Sequence, residues 1–133
     1  MLRMGSGTKA ALLAAAAALC AGLVYHLAFG QTPVPEAVRR LSGLRIAAEL
    51  YRQAEGTFPL DYGAVPASGK LEAVPALKLK WRPACSRVVN YPSLEPAGTG
   101  CWGYVADPGS PDFGSVFIDS GAKDPAGRYW TWF

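Results

Sequence analysis

The run KAALLAAAAALCAGLVYHLAFG, Lys9 to Gly30, constrains this chain more than any other stretch, because after Lys9 no acidic or basic side chain other than His26 occurs until Glu36. A helix needs about 20 apolar residues to cross a bilayer, and the run reaches that length. Arg3 and Lys9 precede it, and positive charge before a first apolar segment holds that end in the cytoplasm and sends the rest outward. A cleaved signal peptide is the alternative, with an apolar region of about 7–15 residues closing on a small-residue cut site. Here the run continues through Leu23, Val24, Leu27 and Phe29 without an A-x-A pattern. Leu19 also stands where a lipoprotein cysteine at Cys20 would be preceded by a small residue. The reading is an uncleaved membrane anchor at residues 1–30 and one extracytoplasmic domain at residues 31–133. His26, the single histidine, falls near the outer end of the anchor with no carboxylate beside it.

An oxidising compartment follows from that orientation. Cys85 and Cys101 are the two cysteines beyond the anchor, so a disulfide between them is expected, with Cys20 left free in the bilayer. Closing a loop of this size contributes about 3 kcal/mol on a chain-entropy argument. A metal pair would need a histidine or a third thiol nearby, and neither is present. The net charge of +3 is scattered and does not describe a nucleic-acid binder.

Past the anchor, QTPVP breaks the helix, since each proline removes a donor and restricts its predecessor. Thr32 is placed to cap the next helix, with Pro33 at its first position and Glu36 completing the cap. That helix, EAVRRLSGLRIAAELYRQAEG, carries Val38, Leu41, Leu44, Ala48 and Tyr51 at helical spacing and stops at Gly56. Residues 57–80 are rich in Pro, Gly and Ala and read as an ordered loop with one helical turn. LKLKWR alternates, with Leu77, Leu79 and Trp81 to one side and Lys78, Lys80 and Arg82 to the other. A basic side next to a tryptophan can read nucleic acid; a solvated, lysine-protected edge is the expectation.

The last third has strand character in CWGYVAD, FGSVFID and RYWTWF, with DPGSPD and SGAKDPAG as turns between them. The expected fold class is α+β: a membrane or spine helix, then an amphipathic helix packed on a small C-terminal antiparallel β-meander. The aromatic residues Tyr129, Trp130, Trp132 and Phe133 would form its last, docked strand.

Three places in this order resemble the bacterial type IV pilins and type II secretion pseudopilins. LRIAAELYRQAEGTFPLDY is similar to the end of the pilin spine helix, leaving through Tyr51, Gly56, Phe58 and Pro59. GKLEAVPALK is similar to the segment after it, where a short helix leads to a proline. CWGYVADPGSPDFGSVFIDSGAKDPAGRYWTWF resembles the pseudopilin ending, with a GWxY strand, a GxVxxx strand, a D-x-x-G turn and a final aromatic pair. The resemblance covers nearly all of the outer domain. It implies a pilin-like fold and a single-pass protein of the bacterial inner membrane whose C-terminal domain lies in the periplasm or at the cell surface. Its partners would be other pilin-like subunits and the secretion or pilus machinery. It also implies a calcium candidate before the last strand, at Asp119 and Asp124; calcium takes about 6–8 oxygens, and two carboxylates in a turn more often shape the turn.

One departure stands out. The family carries a glutamate five residues into the mature helix; here Ala10 and Leu12 stand five residues beyond Gly5 and Gly7, and no acidic residue precedes Glu36. Two functions stay open: a structural subunit of a filament system, and a membrane-tethered binding or adhesion module on the same fold. With its one histidine in the anchor, no outer-domain nucleophile beside a base and no phosphate loop, the chain is not expected to be an enzyme or to hold a cofactor.

Overall fold

Residues 5–133 are described by the computed structural model, with the side chains of 27–29 left outside that description. Arg3 and the side chains of Leu27 and Phe29 therefore lie outside the described residues. The apolar run forms α1 (Ser6–Phe29), a 24-residue helix, as expected of a stretch built mostly from alanine and leucine. It ends where the Gly30 amide donates to the His26 carbonyl at 3.0 Å.

The linker does something the sequence reading missed. Thr32 is buried and clamps a distant segment, its amide donating to the Lys78 carbonyl at 2.7 Å. Its hydroxyl accepts from the Lys78 amide at 2.9 Å. A hydroxyl so engaged does not cap, and the cap position of α2 (Val34–Glu55) falls to Pro33, with no side-chain bond. Glu36 serves Arg39 and Arg40 instead, whose hydrogen bonds hold its carboxyl down to about 2. The C-terminal expectation holds: Gly56 ends α2 at φ 83°, in the left-handed region that glycine occupies without cost.

α2 buries Ala37, Leu41, Leu44, Ala47 and Ala48. Val38 and Tyr51, which the helical spacing placed on this stripe, sit half-buried at its margins. Within residues 57–80 the one short helix is α3 (Ala64–Ala67), earlier than the pilin resemblance places it; Leu71–Ala76 is not helical. The polar tips of buried aromatics hold this irregular segment to the core, as buried Tyr and Trp must each find a partner. Tyr62 donates to the Leu44 carbonyl at 2.8 Å, Tyr104 to Pro59 at 2.5 Å, and the Trp102 indole to Pro75 at 2.8 Å.

The sheet is mixed, not an antiparallel meander. Its strands are β1 (Val88–Tyr91), β2 (Trp102–Val105) and β3 (Val116–Ile118), in that spatial order. β1 runs parallel to β2, and β2 antiparallel to β3. α2 packs on β3, so the expected helix-on-sheet layering is present. The terminal aromatics make a single 3-10 turn (Trp130–Trp132) rather than a strand. Burial there repeats every three residues: Trp130 is buried and Phe133 packs on the core, while Tyr129 and Trp132 face out and meet edge to face at 5.3 Å. Arg45 of α2 ties this end down, donating to the Val116 carbonyl at 3.1 Å and to the Phe133 carbonyl at 2.7 Å.

Candidate functional site

Two features of the fold bear on function: an uncovered apolar helix and a carboxylate cradle. Along α1, none of the side chains in the span Ser6–His26 is buried. Leu13 and Leu19 are 72% and 76% exposed, far beyond what a water-facing helix keeps bare over so many residues. Small residues, Ala10, Ala11 and Ala14–Ala18, occupy much of its first half, and small side chains let helix backbones approach closely. Cys20 is a free, exposed thiol on this helix.

Asp119 lies at the end of β3 with no exposed surface. One carboxylate oxygen accepts the backbone amides of Ala97 at 2.6 Å and Gly98 at 3.0 Å. The other accepts the Thr99 amide at 3.1 Å, the Thr99 hydroxyl, and the Tyr91 hydroxyl at 2.6 Å. Gly98 and Gly100, at φ 84° and 73°, turn the backbone so that successive amides converge, the geometry of an anion nest. Burial would push this carboxyl up, but the Thr99, Tyr91 and backbone hydrogen bonds outweigh it and leave it below the ordinary carboxylate range. The loop they pin is the crossover that lets β1 run parallel to β2.

Asp124 organises the next turn. It accepts the amides of Ala126 at 3.0 Å and Arg128 at 2.8 Å, and the Arg128 guanidinium at 3.1 Å. Burial raises its carboxyl, and the Arg128 amide and charge bring it lower. The lone pairs that calcium would use at these two positions are directed at protein donors instead. Sequence reasoning selected both residues, as calcium candidates or as turn formers, and both shape their loops; the glycines of PAGTG, which let the backbone aim successive amides at Asp119, were the available signal for the cradle. Asp107 is a turn former as expected, accepting the Gly109 amide at 2.9 Å.

Cys85 and Cys101 are joined, with Cα atoms 5.3 Å apart, fastening the start of β2 to the segment that bridges Leu77. LKLKWR follows its alternation only in part. Leu77 and Leu79 are buried, but so is Lys78, whose ammonium donates to the Leu79 carbonyl at 2.7 Å, and Trp81 turns outward. Among the described residues no three His, Cys, Asp or Glu side chains gather as a metal group would require. Compared with family models, with curated proteins and with solved structures, the chain finds no match.

Proposed function

We propose that this chain is a pilin-like structural subunit of the minor pilin or pseudopilin kind, held in a membrane by α1 and contributing to a type IV pilus or type II secretion filament. The observation that carries the reading is the contrast across the linker. A helix long and apolar enough to span a bilayer leaves its side chains unburied, and four residues later a second helix gives its apolar stripe to a sheet. Such a helix requires a non-aqueous neighbour, and both a bilayer and a bundle of like helices supply one. In this account α1 moves between those two neighbours while the outer domain, closed by its disulfide, meets partners.

A tethered binding or adhesion module is the second reading, favoured by the lack of any acidic residue before Glu36. Crosslinking in cells separates the two. Single cysteines placed along Ala10–Leu19, in a Cys20→Ser background, should give ladders of oligomers if α1 packs against its own kind. Replacing Ala14 and Ala18 together by Phe should abolish the ladders without changing the melting of the outer domain. Monomers at every position, with the filament machinery present, would reject the subunit and leave the tethered module. Mass spectrometry of the mature N-terminus would then say whether the anchor is retained.

A further inference from the structure

A narrow cleft of about 190 Å³ opens beside the end of α1, lined by Gln31, Lys80, Arg82, Ser120, Lys123 and Trp130 among others. It has three cationic side chains and no acidic one in its lining. None of the three takes part in a salt bridge among the described residues. The carboxylates next to its lining residues in sequence, Asp119 and Asp124, are turned to the donors described above. Exposed aromatics adjoin these cations. Trp81, between Lys80 and Arg82, is 58% exposed, and Tyr129 carries the Lys123 ammonium 5.0 Å over its ring and leads on to Trp132 at 66%.

The position of this cleft along the chain is what gives the charge a meaning. Gln31 lines it and is one residue beyond Gly30, which closes α1. From Phe29, the last residue of α1 and of its apolar run, two extended residues reach at most about 7 Å to Gln31. That bound holds whatever the angle between α1 and the domain. The polar layer on each face of a bilayer is about 5–8 Å deep, and a surface charge is felt over a further Debye length of about 8 Å. Cations beside tryptophan and tyrosine, in a cleft that Gln31 lines within that reach, match the composition of a membrane–water interface.

We propose that this cleft and its aromatic rim seat the outer domain on the phosphate-bearing headgroups of an anionic bilayer, the same bilayer that α1 spans. The inference rests on reading α1 as a membrane span. Seating fixes the tilt of the domain over the membrane and presents its opposite surface to partners. Release of the seat, by salt or by extraction of α1, frees the domain to turn.

The test uses the full chain reconstituted in vesicles of phosphatidylcholine, with and without phosphatidylglycerol. Flotation reports anchoring, and quenching of tryptophan emission by lipids brominated near the headgroup reports seating. Trp102 is fully buried, so exposed Trp81 and Trp132 supply the lipid-sensitive signal. The expected result is flotation with both lipids but strong quenching only with phosphatidylglycerol, weakened by high salt. Lys80→Gln and Lys123→Gln, both at exposed positions, should each lower the seated-to-free ratio about fivefold, from the attraction of one cation to an anionic surface. Flotation with equal, weak quenching in both lipids would overturn the seat and leave the span standing. Failure to float with either would overturn the span and the seat together. Loss of quenching on adding inorganic phosphate at constant ionic strength would assign the cleft to a soluble anion, and would also overturn the seat.

Discussion

α1 and α2 are nearly equal in length, at 24 and 22 residues, yet they are stabilised in opposite ways. α1 has no buried side chain in its span, and a Cβ added at Gly22 would meet nothing within 4 Å. α2 is fitted: it buries five residues against the outer domain, where a glycine of β2 and one in the turn before β3 are crowded. A Cβ on Gly103 would lie 2.4 Å from the Phe117 ring, and one on Gly114 2.4 Å from Phe58. The first helix is specified by its medium and tolerates shape changes in folding. The outer domain is specified by contact and does not. Mutations should therefore divide by region, with those in α1 affecting assembly and those beyond the linker affecting stability.

The largest effect should come from Asp119, whose five hydrogen bonds hold the crossover between β1 and β2. Asp119→Asn keeps the shape but turns an amide donor toward groups that are themselves donors. Hydrogen bonds to a charged group contribute about 1.5–3 kcal/mol, and orphaned buried donors cost about as much again, so a loss of 3 kcal/mol or more is expected in denaturant melts. The carboxyl is depressed when folded, so its contribution is present above the unfolded value of about 3.9. It is lost as pH falls below that through the folded value. The gap between wild type and Asp119→Asn should thus be full at neutral pH and narrow in acid. A gap that is constant across that range would show the charge to be irrelevant to the cradle.

A sharper comparison uses one substitution in both regions. Gly103→Ala forces a methyl into the Phe117 ring, and overpacking of a well-filled site costs about 1–3 kcal/mol. Gly22→Ala sits in open space on a helix, where alanine is favoured over glycine by about 1 kcal/mol. The first should lower the melting temperature of the outer domain, and the second should leave it alone while raising helix content in lipid. Equal effects at both sites would break the division drawn above.

How much of this was legible in the sequence follows the same line. α1, α2 with its stop at Gly56, β2, β3 and the disulfide all announce themselves through local pattern: an apolar run, a helical stripe, alternation, an even cysteine pair. β1 did not, because Val88–Tyr91 is short and acquires its meaning from a parallel partner across a loop. RYWTWF misled because rings at adjacent and alternate positions fit a strand as well as a turn. Only the docking of Trp130 and Phe133, three apart, decides for the turn. Asp119 was visible as a residue of interest, but its role depends on the Ala97–Thr99 amides about twenty positions away, which no local spacing encodes.

The smallest effect is expected at Trp81, the one described non-glycine residue with positive φ, at 65°. Leu77 and Leu79 point inward, and a continued strand would send Trp81 after them into a core already filled. The backbone turns left-handed instead, and the ring faces out. A side chain in that conformation costs about 1–2 kcal/mol, while glycine there costs about 0.5–1 kcal/mol in added freedom of the unfolded chain. Trp81→Gly should therefore stabilise the outer domain by under about 1 kcal/mol, and Trp81→Ala, which keeps the strain, should give no such gain. The pair isolates the backbone from the ring, since both variants remove the indole and only one relieves φ. If the alanine and glycine variants melt together, the ring and not the backbone sets this turn. If both fall well below wild type, the ring is held by contacts within the domain, and the outer surface around it is as closely fitted as the core.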